Sequence, residues 1–352
     1  MEAPAPAPQF SVNDIRPVEL EARKKILSRQ DREALWAMRH TFIDVPCPAC
    51  GSTEHSLAFR KDEFPYVRCH GCDTHYITPR PPADLLARWY AESENSRFWN
   101  THVYPMSEPA RRARIFGPRV TRLLEIFERQ GVHPGCLVEV GGGFGTFVDE
   151  AHRRGVFDRV IAIEPVPELA ENIRRRGVEV IEAGVEAVVD ESGVRPDYID
   201  ALPEGLVDMV ASFEVIEHLY DPASFIQACG RLLRPGGLLT LTCPNAAGFD
   251  MATLGGKSGS FNCYHLNCFT TDALIHLVER LGFEVVEVMT PGALDAELVR
   301  QQALSGDIDL SGQPFLQKVL VDDWDTLGGA FQDFLAQNGM SSHLWLVARR
   351  PG

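Results

Sequence analysis

From residue 131 onward, short apolar runs alternate with amphipathic stretches. The runs 136–140, 159–163, 178–183, 206–212, 238–243 and 283–289 are rich in Val, Ile and Leu, and each reads as a buried strand. Between them apolar residues recur at helical spacing. Phe147, Val148 and Ala151 mark one face of a helix that starts near Phe144 and stops at Gly155. Further helices are predicted over 167–176, from an Asp221–Pro222 start to 233, and from a Thr271 cap to Gly282. Residues 343–349 alternate as a last strand. Strands interleaved with helices predict an α/β domain over 131–350.

Upstream the pattern changes. An Ala-Pro opening predicts a disordered tail over 1–16, and Leu20, Ile26, Leu27, Leu35 and Trp36 space a helical segment over 17–45. Residues 81–130 read as a helical linker, Arg-rich from 108 onward, with a solvated face expected and a diphosphate dock as the alternative. Two interruptions stand out within the α/β domain. Residues 190–205 suggest a surface loop. Residues 291–341 suggest two helices whose apolar stripe (Phe315, Leu316, Val319, Leu320, Trp324, Leu327, Phe331, Phe334) is expected to be core, with a substrate lid or a homodimer face as the sharper alternative.

Composition narrows the function. A formal net charge of −15 opposes a nucleic-acid grip, which needs clustered excess cations. Only five of the 34 basic residues are lysine, so an Arg-rich stretch carries little information by itself. No apolar run is long enough to cross a membrane, and the first residues lack a signal-peptide core, so a cytoplasmic protein is expected. Four of the nine cysteines form Cys47-Pro-Ala-Cys50 and Cys69-His-Gly-Cys72, with 18 residues between the pairs. That spacing suits a closed, structural Zn²⁺ site of four thiolates in a ribbon over 46–80. Gly51 and Gly71 are expected to supply the unusual dihedrals of its knuckles. The ribbon balances four basic residues against four acidic ones, a poor phosphate grip.

Val138-Glu139-Val140-Gly141-Gly142-Gly143-Phe144-Gly145-Thr146 is a strand running into a glycine turn. Thr146 stands where a dinucleotide fingerprint needs a third glycine or alanine. The pattern Glu139, Gly141, Gly143, Gly145 resembles the first motif of class I S-adenosylmethionine-dependent methyltransferases, and "FEVIEHLYDP…RLLRPGGLLTLTCPN" (213–245) resembles their signature after the fourth strand and through the fifth. The ribbon and the "PRPPADLLARWY" that follows are similar to the leader of bacterial methyltransferases acting on sugars or surface glycans. The resemblance implies a Rossmann-like seven-stranded sheet with its last strand antiparallel, preceded by a small zinc ribbon. It also implies S-adenosylmethionine bound by Glu139, Gly141, Gly143, Gly145, Glu164 and Val185, with Glu164 accepting the ribose hydroxyls and 184–186 capping the adenine.

The expected reaction is O-methylation of a sugar hydroxyl on a nucleotide-sugar or surface-glycan precursor. Such a hydroxyl ionises poorly at neutral pH, so a base is expected beside it. His218 after the fourth strand is the first candidate and His265, in "YHLNCFT", the second, with Glu214 or Glu217 orienting an imidazole. C- or N-methylation of a sugar or natural-product scaffold is the alternative. Sugar C-methyltransferases with a similar leader carry a further C-terminal domain, which is not seen after Arg349. Ribosomal RNA as acceptor is opposed by the charge, and a scaffold that binds the cofactor without turnover by the presence of Glu139, Glu164 and His218.

Overall fold

The computed structural model describes residues 10–202, 205 and 207–352. Of the expected tail, residues 1–9 lie outside them, and the rest corrects the expectation. Ser11 caps a short helix, Val12–Ile15, and its hydroxyl and the Val12 N–H both donate to Glu297, at 3.0 and 2.9 Å. A carboxylate near the other end of the chain thus fixes this segment. Val18–Ala37 is one helix, held by Asp31, whose carboxylate accepts from Ser93 Oγ (2.6 Å) and the Asn95 N–H (3.1 Å).

Residues around the cysteine pairs form three antiparallel strands, β1 (His55–Lys61), β2 (Phe64–Cys69) and β3 (His75–Ile77). Then come β4 (Cys136–Val140), β5 (Arg159–Ile163), β6 (Glu179–Ile181), a hairpin of β7 (Val189–Asp190) and β8 (Gly193–Val194), β9 (Val207–Phe213), β10 (Leu233–Pro244), β11 (Asn267–Cys268), β12 (Glu284–Met289) and β13 (His343–Arg349). Seven of these make one sheet in the order β12-β13-β10-β9-β4-β5-β6. Only β13 runs against its neighbours. This is the Rossmann-like, seven-stranded sheet of the class I methyltransferases. Strand order reverses beside β4, which pairs with β5 on one side and β9 on the other. Ligands of open α/β sheets bind at the carboxyl ends of the strands at such a point.

Helices cover both faces, which is why the central strands read as continuous apolar runs. Helix Gly117–Gln130 buries Val120, Leu123, Ile126 and Phe127 against one face and ends at Gly131 in the left-handed region (φ 63°). Each such side chain contributes about 1.5–3 kcal/mol by leaving water. Local expectations are corrected in three places. Arg234-Pro235-Gly236-Gly237 is a bulge inside β10 and not a turn before it, with Gly236 at φ 77°. Thr270, not Thr271, caps helix Thr271–Arg280, accepting from the Ala273 N–H at 3.2 Å. The 190–205 stretch is more than a surface loop, because Leu202 is fully buried and the β7–β8 hairpin lies within it and just before it; Pro203 and Glu204 lie outside the described residues.

The ribbon is bonded to the α/β domain. β11, from the loop carrying His265, adds a fourth strand to β3. Tyr66 directs its hydroxyl at the carbonyls of Asn262 and His265 (2.8 and 2.5 Å). Buried Arg80 donates to Asn267 Oδ1 (2.9 Å) and the Tyr220 carbonyl (3.0 Å). The stripe in 291–341 is divided. Val319 and Leu320 join Val299, Leu335 and Leu254 in a small core of their own, whereas Phe315 and Phe334 are exposed.

Candidate functional site

A cavity of about 770 Å³ opens at the carboxyl ends of β4, β5 and β9, within the usual size of small-molecule sites. The glycine turn forms one wall. Gly141 (φ 80°) and Gly145 (φ 85°) are left-handed, and a Cβ on Gly141 would lie 2.6 Å from Val215 Cγ2, so only glycine fits without strain. The helix after the turn starts at Thr146, two residues later than expected, because Gly145 takes the cap position.

Glu139 and Glu164 flank this turn, both buried. Glu164 accepts the N–H groups of Gly143 (2.8 Å) and Val166 (2.9 Å), one on each oxygen, and each oxygen keeps a lone pair for a ligand hydroxyl. Burial pushes its carboxyl up, and the two N–H groups oppose the shift. Glu139 is placed differently. Its Oε2 is sealed from solvent without a hydrogen-bond partner, and burial pushes the carboxyl well up while Arg119 opposes. A ligand cation there would restore the charge. Val185, at the start of a short helix behind Gly184, completes this end.

The opposite wall comes from distant segments, including Ile15, Arg16, Tyr104, Arg111, Arg119, Asp250, Asp295 and His343. Glu214, in the left-handed region (φ 58°), lies between the ends. It accepts from Thr242 Oγ1 (2.7 Å) and faces Arg119 and His343, each at 3.5 Å. Burial resists its charge, but His343 and Arg119 together hold its carboxyl below the usual range. Glu214 therefore contacts His343, and not the two imidazoles it was expected to orient.

His218 and His265 do come together, ring centroids 4.7 Å apart at 81°. Neither lines the cavity; their neighbours Glu214, Val215, Leu219 and Ser260 do. His218 Nδ1 bonds the Tyr264 carbonyl (2.9 Å) and the Tyr90 hydroxyl (3.2 Å), and His265 Nδ1 bonds the Ser260 carbonyl (2.7 Å). Burial holds both imidazoles neutral, His265 down at about 3.

With this geometry in place, the sequence pattern of the family described as "Methyltransferase domain" matches residues 110–288. The chain belongs to this methyltransferase family. It is 30% identical over 190 residues to a ubiquinone biosynthesis O-methyltransferase of Xylella fastidiosa, covering 49% of this chain and 69% of that protein. It is 39% identical over 88 residues to a probable S-adenosylmethionine-dependent methyltransferase of Mycolicibacterium smegmatis, covering 25% of this chain and 33% of that protein. The chain thus spans a third of the length of one relative and about two thirds of the other. A SAM-dependent methyltransferase of Archaeoglobus fulgidus superimposes with a TM-score of 0.44 at 14% identity, over 69% of this chain and 94% of that one.

The methyl donor of this methyltransferase family carries an ammonium, a sulfonium and a ribose diol. The orphaned Glu139 oxygen, the glycine cradle and the paired Glu164 oxygens suit those groups. The four predicted cysteines also converge. Cys47 and Cys72 Sγ are 3.5 Å apart, as are Cys50 and Cys69, near the roughly 3.8 Å edge of a tetrahedron with Zn–S bonds of about 2.3 Å. Gly51 (φ 77°) makes the first knuckle, but Asp73 (φ 60°), not Gly71, takes the left-handed position in the second.

Three arginines of the methyltransferase's linker helices are held in ion pairs and so are not free for a diphosphate. Arg112 pairs with Glu108, Asp149 and Glu150, and Arg122 and Arg129 with Glu287. Sequence reasoning missed Asp250, Asp295 and His343, and held Arg119 only as part of the Arg-rich run whose alternative reading was a diphosphate dock. For His343 a signal existed: it opens the reversed strand, and the first residue of a reversed strand lies at the carboxyl edge of its parallel neighbours. Asp250 and Asp295 sit in no recognisable spacing.

Proposed function

We propose that this methyltransferase moves the methyl group of S-adenosylmethionine to a sugar hydroxyl of a nucleotide-sugar or surface-glycan precursor. The supporting observation is the difference between the two cavity ends: carboxylates Glu139 and Glu164 at one, and arginines Arg16, Arg111 and Arg119, set beside Asp250 and Asp295, at the other. The cationic donor suits the first, and the arginines of the second suit an anionic acceptor. In this reading the turn Gly141, Gly143 and Gly145 cradles the donor, Glu139 faces its ammonium, Glu164 its ribose hydroxyls, and Val185 its adenine. The acceptor oxygen attacks the methyl carbon, the sulfur–carbon bond breaks, and sulfur leaves as a neutral thioether. Neither imidazole of the His218–His265 pair lines the cavity, so in this reading the hydroxyl proton reaches the pair through a bridging water, assistance worth typically about 10²–10⁴-fold. Transfer to oxygen agrees with the printed name of the Xylella relative.

Cys47, Cys50, Cys69 and Cys72 hold a structural Zn²⁺ in this reading, which fixes the ribbon and, through β11, the loop of His265. The test is incubation with S-adenosylmethionine and a panel of nucleotide-sugars, read by mass spectrometry. A gain of one methyl on a sugar hydroxyl is expected, lost or slowed in His218→Ala. Methylation unchanged in both His218→Ala and His265→Ala removes the base assignment, and absence of heat on titrating S-adenosylmethionine into folded protein removes the donor site.

A further inference from the structure

Residues 10–16 form a strap at the acceptor end of the cavity, pinned at both sides. Ser11 and Val12 hang from Glu297 at 3.0 and 2.9 Å, and Arg111 Nη2 donates to the Ile15 carbonyl at 2.9 Å. Phe10, Ile15 and Arg16 of this strap line the cavity. Among the described residues the Arg16 guanidinium makes no hydrogen bond or ion pair. Arg111 ends helix Tyr104–Arg111, just before a π-helical turn over Arg112–Phe116, an irregularity that recurs at functional sites. Its Nε donates to Ser107 Oγ (2.9 Å), its guanidinium lies 4.8 Å from the Tyr104 ring centroid, and among the described residues no carboxylate pairs with it.

The carboxylates at this end are engaged elsewhere. Glu214 serves Thr242, Arg119 and His343. Asp295 accepts from Gln332 Nε2 (2.7 Å) and Ser341 Oγ (2.6 Å), and Asp250 from Ser258 Oγ (3.2 Å). Arg119 is engaged too, by Glu214 and by the Phe213 ring, 4.6 Å away. Arg16 and Arg111 thus line one cavity with no counter-ion of their own. Burial lowers the Arg111 guanidinium from its ordinary value, and the Arg16 charge adds to this against Tyr104 and Glu214. Holding two cations in a partly desolvated wall is costly until an anion joins them.

We infer that Arg16 and Arg111 form an oxyanion subsite for the diphosphate that links an acceptor sugar to its carrier. The planar fork of a guanidinium matches the oxygens of a phosphate. Two forks suit two phosphoryl groups, whereas a single carboxylate would leave one of them unpaired. The inference rests on the sugar reading above and deepens it: the diphosphate docks under the strap, and the sugar points toward the donor end. Both arginines are specificity residues and touch no reacting atom.

Pyrophosphate is the probe, titrated calorimetrically into full-length protein. One equivalent is expected to bind. Arg16→Gln should weaken binding by at least about tenfold, as removing one side of a desolvated charge pair does. Arg16→Lys should weaken it less, because the charge stays and only the fork is lost. Melting temperature and S-adenosylmethionine affinity should not move in either variant, and Asn13→Ala, exposed on the same strap, should bind pyrophosphate like the wild type. No binding of pyrophosphate, or equal affinity in the wild type and Arg16→Gln, overturns the subsite. Glucuronate bound as tightly as pyrophosphate overturns its assignment to a diphosphate. Uridine diphosphate and farnesyl diphosphate, run in parallel, separate a nucleoside carrier from a lipid one by which binds more tightly through Arg16. Failure of the sugar reading looks different: pyrophosphate binds through Arg16, but no sugar gains a methyl group. A sugar diphosphate methylated by Arg16→Gln with unchanged KM keeps that reading and removes the subsite.

Discussion

The two ends of the cavity are built in opposite ways. The donor end comes mainly from one run of chain, β4, the glycine turn and the end of β5, where Glu139 lies in the paired register of the two strands and Gly141, Gly145 and Glu164 follow just beyond it. The acceptor end gathers single residues from the first helix, the linker helices, the end of β9, the 250–260 segment, the 291–298 segment and the start of β13. A local turn can be encoded by a few residues whose backbone demands are strict. A wall of six segments depends on how each is anchored, which makes it tolerant of any one residue and sensitive to its supports.

The largest effect is therefore expected at Gly141. Alanine there must adopt a left-handed backbone, at roughly 1–2 kcal/mol, and meets Val215 Cγ2 at 2.6 Å. We expect Gly141→Ala to lower S-adenosylmethionine affinity by about 100-fold, measured by calorimetry, and Val215→Ala to restore part of it. Gly143→Ala should cost less, because the nearest atom to its Cβ is 4.0 Å away. Equal losses at the two positions would mean that the turn is not read by its backbone.

Glu164→Gln follows. It exchanges a carboxylate held by two N–H groups for a neutral amide whose NH₂ cannot accept, and hydrogen bonds to charged groups are worth about 1.5–3 kcal/mol. A loss of about tenfold or more in donor affinity, with acceptor KM unchanged, is the expected outcome. Cys69→Ser tests the other end. It should loosen β2 and β3, and with them β11 and the His265 loop, lowering turnover by about tenfold or more while donor affinity stays within about twofold. If donor affinity fell in parallel with turnover, the two ends would not be independently supported.

This division also explains what could be read from the residues alone. The strands themselves follow from short apolar runs, the reversed β13 was implied only by the family resemblance, and the cysteine spacing brought four thiols together because short knuckles leave little freedom. Glu139 and Glu164 were legible because strand ends fix their position. The acceptor end was not. His218 and His265 were found by motif, but their Nδ1 contacts to backbone carbonyls come from loop packing that no spacing encodes. Arg112, Arg122 and Arg129 were misjudged because their partners Glu108, Asp149, Glu150 and Glu287 lie on elements whose placement only the fold supplies. The tail expectation failed at Ser11 for the same reason, since Glu297 is 286 positions away.

The smallest effect concerns Asp250 and separates a closed acceptor end from an open one. Its carboxyl is 2% exposed, accepts from Ser258 Oγ at 3.2 Å, and is pushed up to about 6 by burial, with Ser342 opposing and Asp295 adding to the shift. The folded chain then binds more protons here than the unfolded chain between pH 3.8 and about 6, so this group's contribution to stability falls as pH rises through that window and is level above it. Replacing it with a neutral isostere removes the burden. Asp250→Asn should match the wild type near pH 4, gain stability through the window, and hold a plateau above it of roughly 1–3 kcal/mol, or a few degrees in Tm. Thermal melts of both proteins from pH 4 to 8 measure this directly. A difference that does not vary with pH would mean that water reaches Asp250, so that the acceptor wall stands open before any ligand binds. A difference that grows as described, together with lower turnover, would show a buried carboxyl kept for its chemistry at a cost to stability, as functional sites often do.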